Sequence, residues 1–306
     1  MVNILADDVK KLRERTGSGM MDCKKALVEC SGNLEEAIDW LRKKGLAAAA
    51  KKSARVAAEG LVGVAIIENR GAVIEINAET DFVARNDLFQ KYVNTVAEVA
   101  CKSKADIETL KSLAYPGENR SLSEELTNLI SIIGENMKIR RVDYLDVSNG
   151  IVASYIHNKI SDNSGKIGVL VALESGGDKN KLCELGKKIA MHITAASPVS
   201  VSIEDIDPEL LSRERSVVSA QAQSMGKPAE FIDKIVEGRL RKFYEEAVLL
   251  EQVFVIDGST KIKDVITNAA KDIGAPIKIK KFIKYVLGEG IEKQSIDFAR
   301  RSCCAN

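Results

Sequence analysis

The pair Asp81-Phe82 sets a carboxylate beside an aromatic ring where the local period changes, between the β-rich run ending AVIEINAE and a helical pattern that begins near Asn86. Two roles fit that position. Thr80 or Asp81 can cap the coming helix, with Phe82 as its staple residue. Alternatively, a loop presents Phe82 as an aromatic wedge with a carboxylate next to it. Aromatic anchors carry much of the energy at protein interfaces. A carboxylate placed near a partner's metal site can compete for that metal's ligands. The residues alone favour the first role, cap and staple.

Other chemistry-bearing residues are few. His157 and His192 are the chain's two histidines, so any imidazole-based site must use one of them. His192 stands inside a helical pattern beside Met191 and Ile193, which favours a structural role; His157 ends a strand before a polar loop. The six cysteines are Cys23, Cys30, Cys101, Cys183, Cys303 and Cys304, with no CxxC pair to signal zinc or a dithiol redox site. Cys23 and Cys30 share one helix face and read as small buried apolar residues. A cysteine nucleophile would need a base beside its thiol, and the two histidines leave little choice. Lys166 in SGKIG and Lys261 in GSTKIK lack phosphate-loop spacing, and Ile167 stands where a magnesium-binding hydroxyl belongs. No direct nucleotide site and no cofactor site are expected.

Composition narrows the classes further. The 306 residues carry 45 basic and 44 acidic side chains, a formal net charge of +1. That balance argues against coating nucleic acid by bulk charge. Aromatics are 5% with a single tryptophan, Trp40, which argues against a stacking platform for single strands. With 45% hydrophobic and 29% charged residues the chain is composed like an ordinary soluble protein. No apolar run approaches the roughly 20 residues of a membrane span. The start, MVNILADDVKKLRERTG, has neither a long apolar core nor the acid-poor character of a transit peptide. Reduced thiols in a cytoplasm are the expectation.

The elements that must position these residues follow from periodicity. Helices are predicted over about 7–15, 20–30 and 33–45, with the stripe Leu34, Ala37, Ile38 and Leu41 on the third and Gly45 closing it. Residues 46–60 read as a helical or flexible linker. From Arg42 to Arg55 the chain has six basic residues and no acidic one, either a solvated face or a contact for an acidic partner or RNA. Residues 61–79 predict a β-hairpin, followed by a helix over about 86–101. The pattern recurs: a hairpin from Gly150, with a longer polar turn through 161–165, then a helix over about 179–195. Gly60-Leu61-Val62 matches Gly150-Ile151-Val152 as a strand opening, suggesting two related α+β subdomains. Between them a helix from about Ser123 and a strand over about 138–147 are predicted. After Asp207-Pro208, two amphipathic segments around Gly226-Lys227-Pro228 read as an antiparallel helical hairpin protruding from the body.

Five motifs, RTGSGMMDCKKAL at 15–27, EINAETDFVARND at 75–87, IAMHITAASP at 189–198, VEGRLRKF at 236–243 and LGEGIEK at 287–293, occur in one order across the chain. Together they resemble the bacterial translation elongation factor Ts family. The resemblance implies an α+β fold. Its expected parts are an N-terminal three-helix bundle like a ubiquitin-associated domain with a basic linker (1–54), a core N-subdomain (55–140), and a core C-subdomain (141–203 with 247–290). A coiled-coil hairpin is inserted at 204–246, and a short module and tail occupy 291–306.

The function it implies is non-catalytic guanine nucleotide exchange on elongation factor Tu. In the family the TDFV segment, here Thr80, Asp81, Phe82 and Val83, enters the partner's GTPase domain. The phenylalanine wedges beside the magnesium site, disturbs the phosphate loop and dislodges the ion. Arg13, Met20 and Met21 correspond to a contact with the same GTPase domain, and His157 lies in the family's second contact region, through the C-subdomain. No cofactor, no membrane and no nucleic acid is implied. The polar loop at 158–165 and the Ser302-Cys303-Cys304 tail depart from the family pattern. The competing readings are an RNA-binding or ribosome-associated accessory protein using residues 42–55, and an enzyme with a cysteine nucleophile.

Overall fold

The computed structural model describes residues 4–224 and 229–292. The chain is an α+β protein with one antiparallel sheet and helices around it. Helices α1 (Ala6–Thr16), α2 (Met20–Glu29) and α3 (Leu34–Lys52) come first. Asp7 and Asp8 in the first turn of α1 and Arg13 and Arg15 in its last complement the helix dipole. Asn33 caps α3, its side chain accepting from the backbone N–H of Glu35 and Glu36 at 3.1 and 3.4 Å. Val9, Leu12, Cys23, Ala26, Leu27, Ala37 and Leu41 close into one small core. Cys23 is therefore the buried apolar filler expected of it, and burial pushes its thiol up.

Helix α3 does not stop at Gly45. It runs on through the alanines to Lys52, so the expected linker is largely helix. Alanine is the strongest helix former. The extended half packs on α7 (Leu122–Ile133), with Gly45 so close to Ser131 that an added Cβ would lie 3.1 Å from its hydroxyl. Four of the six basic residues of this run have partners within the chain, while Lys43 and Lys51 are exposed. Arg42 pairs with Glu124, Lys44 with Asp22, and Arg55 with Glu79 at 3.5 Å, while Lys52 Nζ reaches the Ile130 carbonyl at 3.5 Å.

Strands β1 (Glu59–Ile67) and β2 (Arg70–Ala78) form the first hairpin, followed by α4 (Asp81–Ala84), α5 (Asp87–Ser103), α6 (Ile107–Ser112), α7 and β3 (Met137–Asp146). Strands β4 (Gly150–Ser161) and β5 (Ser164–Glu174) form the second, followed by α8 (Lys179–Ala196). The polar stretch expected as a long loop is mostly strand: Asp162 and Asn163 alone join β4 to β5. Lys159 still pairs with Gly165, and Ser161 with Ser164.

Helices α9 (Pro208–Ser224) and α10 (Ala229–Ala247) then pack together through Leu211, Val218, Ile232, Val236, Leu240 and Tyr244. The Gly226-Lys227-Pro228 turn lies outside the described residues. Helix α11 (Ile262–Ile273) and β6 (Lys278–Val286) complete the body. Cys303 and Cys304 also lie outside the described residues.

The sheet order is β3-β2-β1-β5-β4, with β6 also on β5. The two hairpins thus share one sheet, joined by the short pairing of Val62 with Gly165 and Gly63 with Ser164. Period-2 alternation gives each half two buried faces. In the first half Leu61, Ala65, Ile74 and Ile76 face α5, where Phe89, Tyr92, Val93 and Val96 meet them. In the second, Ile151, Ala153, Val169, Val171 and Leu173 face α8, against Leu182, Leu185 and Ile189. The opposite faces form a third core, Val62, Val64 and Val73 against Val152, Ile156, Leu170 and Tyr285.

Gly60 and Gly150 open the two hairpins in the same way. Their φ values are +118° and +141°, and a Cβ would stand 2.2 Å from the Ile76 carbonyl oxygen and 2.0 Å from that of Leu173. The matched sequence openings are therefore matched backbone devices, each requiring glycine.

Candidate functional site

The turn after β2 builds a small platform. Thr80 is extended, with φ −126° and ψ 160°, and α4 begins at Asp81. A four-residue helix cannot hold its own direction, because nucleation costs more than one turn returns. Its neighbours hold it. Val83 and Ala84 are buried in the core under α5. The backbone N–H groups of Arg85 and Asn86 donate to the carbonyls of Phe82 and Val83 at 3.1 and 2.9 Å. Gln90 Nε2 donates to the Ala84 carbonyl at 3.0 Å. On the other side Glu135 accepts from Thr80 twice, Oε2 from the backbone N–H at 2.9 Å and Oε1 from the hydroxyl at 2.7 Å.

This platform turns Phe82 outward. Its side chain is 77% exposed, while its neighbour Val83 is 3% exposed. The staple alternative is overturned, because Phe82 packs into no first turn of its own. The capping alternative fails for Thr80, whose side chain caps no helix N–H. Asn86 caps α5 instead, accepting from Leu88 and Phe89 N–H at 3.0 and 3.3 Å. Asp81 is exposed beside Phe82, and Leu88 is half exposed at the start of α5. Fully burying such a ring in a partner is worth about 1.5–3 kcal/mol. An exposed aromatic on a fixed mount is suited to docking rather than to folding.

The other expected contact residues lie on separate elements. Arg13 is exposed on α1, and Met20 and Met21 are exposed at the start of α2. His157 is exposed on β4, with the Tyr155 hydroxyl 3.4 Å from Nδ1 and the rings tilted at 38°. His192 is the structural residue expected. It is fully buried; its Nε2 is 2.8 Å from Gln252 Oε1 and its Nδ1 is 3.3 Å from the Val255 N–H. The backbone N–H must donate, so Nδ1 accepts and Nε2–H donates to Gln252. Lys261 is tied to Glu245 and Glu251, both at 3.2 Å, which occupies the second of the lysines set aside above. Among the described residues no group of three or more His, Cys, Asp or Glu side chains could hold a metal ion. Among them, too, no helix is long and apolar enough to cross a membrane.

The comparison with known proteins decides the family. The family model described as elongation factor TS matches residues 79–289, which takes in the whole platform from Thr80 onward. The chain belongs to the elongation factor Ts family. The elongation factor Ts of Rhodospirillum centenum is 60% identical over 299 residues, covering 98% of this chain and 97% of that one. That of Rhodospirillum rubrum is also 60% identical, over 300 residues with 98% and 97% covered. The Parvibaculum lavamentivorans protein is 52% identical over 305 residues, covering 100% of this chain and 99% of its own.

Membership in elongation factor Ts places the chain among the translation elongation factors. Glu135 is the residue of this site that sequence reading missed. It stands 55 positions from Thr80, in the turn after α7, and nothing in its own neighbourhood signals the contact.

Proposed function

We propose that the chain is a guanine nucleotide exchange factor for elongation factor Tu, acting by binding and without a covalent step. The observation that carries this is Phe82, held outward on a buried mount in a member of the elongation factor Ts family. In this reading Thr80, Asp81, Phe82 and Val83 form the element that disturbs the partner's magnesium site. Phe82 enters beside the phosphate loop, and Asp81 brings a carboxylate toward the ion. Thr80 and Val83 hold the segment to the body. Loss of Mg²⁺ would remove a large charge interaction with the GDP phosphates, so GDP would leave faster. The ion and the nucleotide belong to the partner.

Arg13, Met20 and Met21 form a second patch toward the same GTPase domain, and His157 a further contact through the C-subdomain. Residues 1–54 act as a domain like the ubiquitin-associated fold with its linker. Residues 55–140 and 141–203 with 247–290 are the two core subdomains, 204–246 a coiled-coil arm, and 291–306 a C-terminal module and tail. The cytoplasm is the place of action.

The energetics are those of reciprocal coupling. A factor that binds nucleotide-free partner more tightly than GDP-bound partner weakens GDP by the same ratio that GDP weakens the factor. Exchange then runs both ways, and the nucleotide pool sets its direction.

The test is release of a fluorescent GDP analogue from purified elongation factor Tu. The reading expects acceleration that saturates with this protein, and excess GDP that dissociates the complex. A folded chain that leaves the release rate unchanged would contradict it.

A further inference from the structure

We propose that Glu135 is a positioning residue for Phe82. Its carboxylate fixes the direction of the short helix that presents the ring, and so sets how well this protein drives nucleotide release. The proposal rests on the exchange reading above.

The geometry points to a clasp between two dipeptides. Glu135 takes both donors of Thr80, the backbone N–H at 2.9 Å and the hydroxyl at 2.7 Å. In return Glu79, the residue before Thr80, accepts from the Asn136 N–H at 2.6 Å. Glu79-Thr80 and Glu135-Asn136 therefore hold each other by side chain to backbone in both directions. Charge-assisted bonds of this kind are about twice as strong as neutral ones. Gly134, in the left-handed conformation at φ +92°, ends α7 and turns the chain so that Glu135 follows at once.

Two features separate this clasp from ordinary turn stabilisation. The Thr80 hydroxyl is used outward, toward Glu135, so α4 keeps no side-chain cap of its own. The start of α4 is then oriented by a residue distant in sequence, while its end is anchored through Val83 and Ala84. Asn136 also reaches the exit of α3, its Nδ2 donating to the carbonyls of Arg55 at 2.7 Å and Ser53 at 3.4 Å. One dipeptide thus ties the three-helix module and the Phe82 platform to the same point. Both Thr80 and Glu135 are only half-buried, so water can replace the lost bonds at small cost to the fold. What falls without the carboxylate is the fraction of molecules presenting Phe82 correctly, and apparent activity falls with that fraction.

The experiment measures GDP release from elongation factor Tu with the full chain and its variants, each checked by thermal unfolding. Glu135→Ala is expected to lower the saturating release rate about tenfold, because it removes both bonds to Thr80 and water replaces part of what they supply. Glu135→Gln is expected to stay within about threefold of the parent, since its oxygen can accept from the Thr80 N–H and its amide can donate to the hydroxyl. In a Phe82→Ala background, Glu135→Ala is expected to change the rate less than about twofold, because the two act as one unit.

Release by Glu135→Ala at the parent rate would overturn the proposal, as would an undiminished loss in the Phe82→Ala background. Should Glu135→Ala fold poorly, Thr80→Val removes one of the two bonds and is expected to give a smaller loss in the same direction; no loss would count against the clasp. A 4-fluorophenylalanine at position 82 separates the two readings. If Phe82→Ala releases GDP like the parent, the wedge reading fails. The fluorine line then tests the clasp alone: broadening or a second signal in Glu135→Ala supports it, and an unchanged line overturns it.

Discussion

The Glu75 carboxylate, with no solvent exposure, meets Arg141 Nε at 2.5 Å where the two halves of the molecule face each other. Arg140 Nη1 joins at 3.0 Å, Asn77 Nδ2 at 2.9 Å, and the Gly288 N–H, beyond the last strand, at 2.8 Å. Arg141 also lies over the Tyr285 ring, 4.0 Å from its centroid. A carboxylate from β2 is thus satisfied by β3 and by the chain leaving β6. Burial alone would raise its pKa. The hydrogen bonds from Gly288, Asn77 and Arg141 outweigh that and hold it below the usual glutamate value.

A depressed carboxylate contributes stability above its unfolded pKa, near 4.3, and loses it as pH falls through the folded value. Glu75→Ala should lower stability by about 3 kcal/mol at pH 7, the low end for breaking a buried pair, since both guanidiniums keep some water. It should also flatten the loss of stability below about pH 4. Urea unfolding across that range checks both.

His192 gives the opposite ionic case. Burial lowers its pKa, opposed by the bond to Gln252. The neutral ring is satisfied on both nitrogens, and a second ring proton would confront the Val255 N–H. The folded state therefore binds fewer protons than the unfolded one just below the ordinary value of about 6.5, and stability should fall as pH drops through that window. The slope cannot exceed about 1.4 kcal/mol per pH unit. His192→Leu should be less stable at pH 7, by about 1–3 kcal/mol for each stranded polar partner, and should lose this pH dependence. Thermal unfolding from pH 7 to 5 tests it.

The matched glycines make a paired prediction. Gly60→Ala and Gly150→Ala each force a Cβ toward a carbonyl oxygen about 2 Å away, at a φ that alanine avoids. Each should destabilise by at least about 2 kcal/mol, combining backbone strain with the clash. Equal losses measured by urea midpoint would mark the two hairpins as equivalent units. A neutral substitution at either site would contradict the backbone account.

Much of this arrangement was legible in the sequence where pattern and packing agree. The alternation in LVGVAIIE and the stripe Phe89, Tyr92, Val93 and Val96 point to the strands and helix that form the first core. The errors have physical causes. Gly45 reads as a stop from propensity alone, but α7 receives it and the following alanines carry the helix on. The polar residues 158–161 read as loop, yet β5 supplies backbone partners that their side chains do not advertise. The sharpest omission is Glu135, whose contact with Thr80 exists only once α7 and β3 are folded beside β2. At Phe82 the residues favour a staple role, and tertiary packing overturns it by burying Val83 and Ala84 and leaving the ring outside.

The most direct measurement compares GDP release from elongation factor Tu driven by the parent chain and by Phe82→Ala. The ring is 77% exposed, so its removal should leave folding stability within about 0.5 kcal/mol. Saturating release should fall by about thirtyfold, as expected for an interface anchor worth about 2 kcal/mol. A Phe82→Ala protein that is equally stable and releases GDP as fast as the parent would contradict the account.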